Sequence, residues 1–343
     1  MARYNGGMLS EFDLIKQYFV RPATGKAALG IGDDCALLTP AAGMQTAISS
    51  DMLVEGRHFF AGEDPRRLGH KSLAVNLSDL AAMGARPVGF TLALALPSAD
   101  RTWLEGFSAG LFALADAHGC ELIGGDTTKG PLNICITIFG EVAPGRALRR
   151  DAARAGDDIW ISGTLGDARL ALAGYRGEIS LSGAELAAAG ARMHMPTPRV
   201  GLGLALQGIA HAAIDISDGL AGDIGHILQR SGVGAVLNVD ALPAGAVLAG
   251  REQGLRRAFT ASGGDDYELC FTAPSAAREA VLAAGAACGV AVTRVGAIEA
   301  YAAKDQGNAD AADDAGAAPR LRFADAAGAP LALDLAGFDH FKS

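Results

Sequence analysis

Aspartates recur beside small residues at six places along the chain. The motifs are Gly32-Asp33-Asp34, Ser49-Ser50-Asp51, Asn76-Leu77-Ser78-Asp79, Gly124-Gly125-Asp126, Asp215-Ile216-Ser217-Asp218-Gly219 and Ser262-Gly263-Gly264-Asp265-Asp266. We interpret them as aspartates placed at strand ends. Mg²⁺ prefers oxygen ligands and is usually held by one or two carboxylates together with phosphate oxygens and water. Glycine beside an aspartate lets the backbone approach a phosphate closely. The set therefore predicts a site where several Mg²⁺ ions hold a polyphosphate.

Each motif taken singly also has a structural explanation. Aspartates in loops commonly form turns or cap helices, and Asp218 and Asp223 have the positions of ordinary caps for a helix after Gly219. Their recurrence favours the metal site. The chain lacks a complete P-loop or dinucleotide-binding fingerprint. The stretch 163–166 fits either an anion-binding turn at a helix N-terminus or a plain tight turn.

Few basic residues stand near these motifs. Either they are linker charges exposed to water, or one of them clamps a nucleotide phosphate. They are Lys129, Arg146, Arg149 and Arg150. His58 follows Asp51 closely, and residue chemistry alone favours a surface role for it over a substrate contact. No residues suggest an activated nucleophile with its base, so we assign no catalytic side chain.

Strands and helices alternate in both halves of the chain, which predicts an α/β or α+β fold. Helical spacing covers residues 8–20, with Ser10 as N-cap, and residues 65–84 and 101–118. We expect one strand to end at residues 49–51 and another to run into Asp215. Proline, glycine and arginine are frequent over 143–156, which predicts a boundary between domains 1–145 and 146–343. Residues 302–319 are low in complexity and are predicted to form a mobile loop.

Length and composition narrow the class of protein. The 343 residues exceed one ordinary core, so two domains are expected. A net charge of −9 leaves no basic surface of the kind that nucleic-acid-binding proteins use. The five cysteines have no C-x-x-C spacing and are expected to be reduced core residues. The N-terminus has no apolar signal core and no apolar run reaches membrane-spanning length, so we expect a cytoplasmic protein with no membrane partner.

Together these motifs resemble those of the thiamine-monophosphate kinase family. Its wider superfamily includes aminoimidazole ribonucleotide synthetase and selenophosphate synthetase. The resemblance rests on GIGDDCALL (30–38), AISSDMLVEGRHF (47–59), KSLAVNLSDLAAMGARP (71–87), LIGGDTTKGPL (122–132), AIDISDGL (213–220) and SGGDDYELCF (262–271). It extends from Ser10 to the terminal GFDHF (337–341), and the six segments follow the family's order. This agreement is highly specific.

The resemblance implies a two-domain synthetase-like fold. An N-terminal mixed sheet would bind ATP and Mg²⁺ and pair across a homodimer, and a C-terminal α/β domain would close over the site. The implied activity is transfer of the γ-phosphoryl group of ATP to thiamine monophosphate, with several Mg²⁺ ions and K⁺ as an additional candidate cation. The matching metal ligands are Asp34, Ser49, Ser50, Asp51, Asp79, Asp126, Asp215 and Asp218. The matching ATP contacts are Gly125, Asp126, Arg150 and Ser217, and the matching substrate contacts are His58, Asp265 and Phe338.

Two positions depart from the family's usual pattern. Asp265 stands where the family often has Glu, and Phe338 stands where it often has Tyr or Trp. Phenylalanine can still stack on a ring but cannot donate a hydrogen bond, so the departures concern substrate contacts rather than the reaction.

Two alternatives to this activity stay open. The first is another ATP-dependent enzyme of the same superfamily. Selenophosphate synthetase normally needs a reactive Cys or selenocysteine near its N-terminus, whereas no cysteine precedes Cys35 here. The second is a non-catalytic protein that binds Mg²⁺ and nucleotide. Such a degenerate copy is expected to lose acidic motifs, and all six are present.

Overall fold

The chain divides into two compact units, each built from helices and strands. The computed structural model describes residues 10–22, 25, 27–301 and 320–333. One unit comprises Met1–Leu80 with Ala85–Gly145, and the other comprises Ala81–Gly84 with Arg146–Ser343. In the part of the chain that is described, no helix combines the length and the apolar character that a bilayer span requires. The fold is therefore a two-domain α/β fold with mixed sheets.

The first unit holds a four-stranded mixed sheet. Its elements are α1 (Glu11–Tyr18), β1 (Ala27–Leu29), β2 (Leu37–Leu38), β3 (Gln45–Val54), α2 (Pro65–Ala82), β4 (Arg86–Leu96), α3 (Arg101–His118), β5 (Glu121–Lys129) and β6 (Asn133–Val142). The strand order is β3-β6-β4-β5, with β4 parallel to β5 and the other two pairs antiparallel. β1 and β2 form a separate antiparallel pair. The predicted cap of α1 is confirmed, because Ser10 Oγ accepts the Asp13 N–H at 3.2 Å.

Alternation along the strands gives this sheet one covered face and one open face. Phe90, Leu92 and Leu94 of β4 are buried, whereas the intervening residues are less so, as expected for a sheet packed on one side. Glycines allow α2 and α3 to touch through their backbones. A Cβ on Gly69 would lie 2.0 Å from the Phe107 carbonyl oxygen, and one on Gly110 would lie 1.8 Å from that of Arg66.

The second unit holds a seven-stranded sheet in the order β13-β12-β9-β11-β7-β10-β8. Its elements are β7 (Asp157–Ser162), α4 (Asp167–Tyr175), α5 (Gly183–His194), α6 (Val200–Ala205), β8 (Ala212–Asp215), α7 (Leu220–Ser231), β9 (Val233–Asn238), α8 (Gln253–Ser262), β10 (Leu269–Pro274), α9 (Arg278–Ala287), β11 (Val292–Ala300), β12 (Leu321–Ala324) and β13 (Pro330–Leu331). β9 and β12 are parallel, and the other neighbours are antiparallel. Buried aliphatic side chains of the strands and of α7 form its core.

Several predictions about local structure were wrong. Residues 49–51 do not end a strand, because β3 continues to Val54. Asp79 lies on helix α2 rather than at a strand end, and Asp126 lies within β5. Cys35 is exposed, although Cys120 and Cys270 are buried as expected. The stretch 302–319, predicted to be a mobile loop, lies outside the described residues.

Candidate active site

Strand β3 and helix α2 bring part of the candidate metal set together. Ser49 Oγ donates a hydrogen bond to Asp79 Oδ2. Two residues further along β3, the Asp51 N–H donates to Asn76 Oδ1 at 3.2 Å, and the Asn76 amide donates to Ser72 O at 3.0 Å. Asn76 and Asp79 are three apart on α2 and so share a face of the helix. This cluster, which we name the β3–α2 cluster (Ser49, Asp51, Asn76 and Asp79), gathers oxygen ligands on the covered face of the sheet.

Ser50 lies on the opposite face of β3, because neighbouring residues of a strand point to opposite sides. Its hydroxyl lies 3.0 Å from Thr137 Oγ1 and donates to Ile136 O at 3.2 Å. The sequence grouped Ser49, Ser50 and Asp51 as joint ligands. The structure separates Ser50 from the other two by the thickness of the sheet.

A cleft of about 1050 Å³ in the first unit holds a second acidic group. Asp33, Asp34 and Asp126 line it together with Gly125, and apolar walls come from helix α1 and strands β3 and β6. Asp34 and Asp126 are exposed. Gly125 has φ +145°, and a Cβ there would lie 1.9 Å from the Leu92 carbonyl oxygen, so only glycine fits. We name this the β5 cleft.

The two acidic groups stand on opposite edges of the sheet. Asp51 is on edge strand β3 and Asp126 is on edge strand β5, with β6 and β4 between them. Three strand spacings amount to about 14 Å. Since Mg²⁺ binds its ligands at ~2.1 Å, one ion cannot contact both side chains of one chain.

The imidazole of His58 is oriented by the end of strand β3. Its Nδ1 accepts the Val54 N–H at 3.0 Å. In the neutral ring the proton is therefore on Nε2, an assignment that follows from the hydrogen bond. The side chain is half-buried, and it stands on the turn directly after the strand that carries Ser49 and Asp51.

In the second unit, strand β8 delivers Asp215 into a tight loop. Asp215 ends the strand and is buried, Ser217 is half-buried and Asp218 is exposed. Oδ2 of Asp223, on the first turn of α7, accepts the N–H groups of residues 217, 218 and 219. Burial raises the pKa of Asp223 to about 7 and the charge of Asp218 adds to the rise, whereas the three N–H donors lower it.

The segment 262–268 packs on that loop with a strained backbone. Asp265 and Tyr267 have φ of +66° and +49°, uncommon for residues with side chains. The Asp265 N–H donates to Ser217 O at 2.8 Å, so the structure brings these two candidate contacts together. Glu268 fixes the end of the segment, because its fully buried carboxylate pairs with Arg192 and Arg199.

Another predicted contact, Arg150, is not brought to this loop. The Arg150 carbonyl oxygen accepts the Ser231 hydroxyl at the C-terminal end of α7. The twelve residues of α7 span about 18 Å, so the Arg150 backbone is far from Ser217 at the other end. Phe338 lies outside the described residues. The stretch 163–166 is a tight turn whose Gly166 N–H is bound by the Asp266 carboxylate at 3.0 Å.

Comparison with known proteins shows to which family this chain belongs. Residues 32–142 match the model described as AIR synthase related protein, N-terminal domain, and residues 154–304 match AIR synthase related protein, C-terminal domain. A curated thiamine-monophosphate kinase of Salmonella typhimurium is 45% identical over 337 residues, covering 97% of this chain and 98% of the relative. The chain belongs to the thiamine-monophosphate kinase family.

Solved structures agree with this membership. The crystal structure of thiamine-monophosphate kinase from Stenotrophomonas maltophilia K279a superposes with a TM-score of 0.77 at 48% identity, covering 81% of this chain and 90% of that one. The structure of AaThiL complexed with AMPPCP and TMP gives a TM-score of 0.73 at 28% identity, covering 88% and 89%. The resemblance inferred from the six motifs is thereby confirmed.

Two residues that hold the candidate site together carry little signal of their own in the sequence. Asn76 orients the Asp51 backbone, and Glu268 anchors the strained segment. Both stand inside motifs that carry the family resemblance, NLSD and SGGDDYELCF, so the residues of these motifs other than aspartate are the signal that points to them. The sequence predicts only a capping role for Asp223, whereas its carboxylate binds three consecutive amides.

The candidate ligand atoms are of the chemical type that Mg²⁺ binds. The candidate ligands are carboxylate and hydroxyl oxygens, which a hard cation prefers. Across the described residues, no three acidic, histidine or cysteine side chains gather as a ready-made metal cage. This dispersal suits an ion that takes one or two carboxylates and completes its shell with phosphate oxygens and water.

Proposed function

We propose that the acidic residues described above hold the Mg²⁺ ions with which this chain transfers the γ-phosphoryl group of ATP to thiamine monophosphate, giving thiamine diphosphate and ADP. The proposal assigns metal ligation to Asp34, Ser49, Ser50, Asp51, Asp79, Asp126, Asp215 and Asp218. It assigns ATP contacts to Gly125, Asp126, Arg150 and Ser217, and substrate contacts to His58, Asp265 and Phe338. The observation that carries it is the β3–α2 cluster, in which Ser49 donates to Asp79 and Asp51 lies two residues from Ser49 on the same face of the strand, in a member of this family.

The acceptor chemistry explains why no general base is assigned. The second pKa of a phosphate monoester is about 6, so the attacking oxygen is already ionised at neutral pH. The side chains then have to position two anionic phosphates rather than remove a proton. When bound, Mg²⁺ offsets the repulsion between those phosphates. We therefore propose direct in-line transfer without a phosphoenzyme.

The residues of the first unit have distinct parts in this proposal. Two hydrogen bonds, from Ser49 to Asp79 and from the Asp51 N–H to Asn76, hold strand β3 against helix α2. They fix the backbone from which the Asp51 carboxylate extends. Gly125 lets β5 lie close to the backbone of Leu92 on β4, and this close approach shapes the β5 cleft. Nδ1 of His58 accepts the Val54 N–H, so we assign the substrate contact to its Nε2.

Two relatives support the choice of substrates. AMPPCP is an ATP analogue and TMP is thiamine monophosphate, and AaThiL was solved with both. The 45% identical relative bears the name of the same kinase activity. These likenesses favour the kinase over another enzyme of the superfamily and over a non-catalytic binder. Mg²⁺ follows from the donor set, and K⁺ remains an additional candidate cation.

We further propose that the chain works as a homodimer. The wide separation of Asp51 from Asp126 within one chain suits a site that a second copy completes. The open face of the sheet also exposes apolar side chains, with Ile48 64% and Met52 52% exposed, which a partner sheet would cover. Light scattering of the purified protein should give twice the chain mass, and a monomer that retains full turnover would refute the homodimer.

The domain assignments, with 1–145 for ATP, Mg²⁺ and dimerisation and 146–343 for closure, remain proposals, and the cytoplasmic location remains a prediction.

Product analysis tests the activity directly. The protein is mixed with ATP, Mg²⁺ and thiamine monophosphate, and thiamine diphosphate is expected in amounts equal to ADP. Parallel reactions contain EDTA, or replace thiamine monophosphate with the ribonucleotide substrate of aminoimidazole ribonucleotide synthetase. Turnover of the ribonucleotide alone would overturn the assignment. Labelled phosphate trapped covalently on the protein during turnover would refute the direct transfer.

Asp51→Asn tests the metal role of the β3–α2 cluster. The change removes one charge and keeps the side-chain shape, and the backbone N–H that binds Asn76 is retained. We expect the circular dichroism and melting curve to stay close to wild type while kcat falls by about a hundredfold or more, as for loss of one strong electrostatic contact to the transition state. Near-normal turnover at low Mg²⁺ would show that Asp51 is not a ligand.

A further inference from the structure

The N-terminus of helix α7 is occupied by a carboxylate of the helix itself. Oδ2 of Asp223 accepts the N–H of Ser217 at 3.1 Å, of Asp218 at 3.2 Å and of Gly219 at 3.1 Å. Amides that converge at a helix N-terminus are the arrangement with which proteins bind phosphate. Asp223 is 4% exposed, so the position of the anion is filled from within the chain.

The same loop is held from its other side by the segment 262–268. The Ser217 carbonyl accepts the Asp265 N–H at 2.8 Å, and the Ile216 carbonyl accepts the Tyr267 N–H at 2.8 Å. A Cβ on Gly264 would lie 2.5 Å from the Ser217 oxygen, so this approach requires glycine. The amides of the loop thus face Asp223, and two of its carbonyls face the segment that carries Asp265.

A second strand–loop–helix connection is built in a related way. Helix α4 follows β7 through the turn 163–166, and the Gly166 N–H lies 3.0 Å from both carboxylate oxygens of Asp266. Asp266 is 1% exposed. In both connections a buried carboxylate of the chain takes the place that an anionic ligand would use.

We propose that Asp223 is a positioning residue: it fixes the amides of residues 217–219, sets where the Ser217 hydroxyl and the Asp218 carboxylate lie, and keeps phosphate out of the α7 N-terminus. ATP phosphates are then left to cations and side chains. This division of labour explains how the chain binds nucleotide without a P-loop. The inference rests on the proposed function, which assigns Ser217 to ATP and Asp218 to metal.

Two variants of the full-length protein and one matched control test the proposal. Asp223→Ala removes the acceptor for all three amides, and Asp223→Asn keeps one neutral oxygen in its place. The control is Asp167→Ala. Asp167 is also a buried aspartate that binds loop amides, accepting the N–H of Leu248 at 3.0 Å and of Val247 at 3.5 Å, but that loop holds no candidate site residue.

Hydrogen exchange reports the position of the loop without relying on turnover. In Asp223→Ala, peptides that cover 214–222 should exchange at least about tenfold faster, because three buried donors lose their acceptor. Asp223→Asn should be intermediate, and Asp167→Ala should leave this peptide unchanged. Inorganic phosphate should restore the protection in Asp223→Ala alone, since the vacated helix N-terminus then becomes an anion site.

Kinetics supply the functional readout. Asp223→Asn should raise the Mg²⁺ concentration for half-maximal turnover about five- to thirtyfold, the range expected for weakened charge-assisted hydrogen bonds. The KM for thiamine monophosphate should change less. A merely structural role would lower the amount of active protein without moving the Mg²⁺ dependence.

The outcomes separate the inference from the proposed function. Wild-type exchange of 214–222 in Asp223→Ala, or equal protection of the wild type by phosphate, would overturn the positioning role. If Asp223→Ala does not fold, exchange and Mg²⁺ dependence of Asp223→Asn decide, and wild-type values for both would overturn it. If the wild type makes no thiamine diphosphate, the proposed function fails while the exchange result still decides the role of Asp223.

Discussion

Glu268→Gln should be among the most destabilising polar substitutions in the second unit. The Glu268 carboxylate is fully buried and accepts hydrogen bonds from Ser162 Oγ at 2.6 Å, Arg192 Nη2 at 2.7 Å and Arg199 Nε at 2.6 Å. Glutamine keeps one acceptor oxygen and turns the other into a donor that must face a guanidinium or a hydroxyl. The two arginines then lose their shared counter-charge.

The magnitude follows from how far each partner is buried. Removing one member of a buried ion pair costs about 3 to 5 kcal/mol. Arg192 and Arg199 keep 23% and 15% side-chain exposure, so water recovers part of the loss, and we expect about 3 kcal/mol. The matched control is Glu185→Gln. Glu185 pairs with Arg251 at side-chain exposures of 40% and 25%, so water screens the pair and a much smaller loss is expected there.

The assay has to report the second unit alone, because a two-unit chain need not unfold in one step. The chain has two tryptophans, Trp103 on α3 and Trp160 on β7. In a Trp103→Phe background, urea unfolding followed by fluorescence therefore reports the second unit. A loss below about 1 kcal/mol, or one equal to that of Glu185→Gln, would refute the view that Glu268 is a buried charge centre.

Two further predictions concern the β5 cleft and the stability of the second unit at low pH. Gly125→Ala should abolish the thermal stabilisation of the protein by AMPPCP, because the new Cβ would lie 1.9 Å from the Leu92 oxygen. The control Gly124→Ala, whose new Cβ has its nearest contact at 3.7 Å, should retain the stabilisation. Equal responses of the two variants would contradict the role given to Gly125. Arg278 holds the pKa of Asp158 below its ordinary value, so the pair stabilises the fold above the unfolded pKa of about 3.9 and the gain is lost as pH falls through the folded pKa. Asp158→Asn should therefore lower the free energy of unfolding by about 1 kcal/mol at pH 7, a modest amount because Arg278 is half-exposed. The loss should become progressively smaller below pH ~3.9. A loss that is independent of pH would count against the ion pair.

The sequence by itself determined the family, the class of fold and the segments that carry the chemistry. Six motifs in the family's order were enough for this, because a motif consists of neighbouring residues and can be identified without knowing how the chain packs. The helices at 65–84 and 101–118 and the strand that enters Asp215 were predicted correctly in type for the same reason, since periodicity and capping residues act over a few neighbours.

Only the tertiary structure decided which motif residues meet. Side chains reverse direction at every residue of a strand, so whether Ser49 or Ser50 joins Asp79 depends on which face of β3 is covered by α2. Asp126 stands beside the Asp33–Asp34 pair in the β5 cleft because a parallel strand places it there. Asp223 binds three amides of a loop whose carbonyls are bound by a segment more than forty residues later. Such pairings arise between residues distant in the chain, so the local spacing of residue types does not predict which side chains are buried or how far apart they lie.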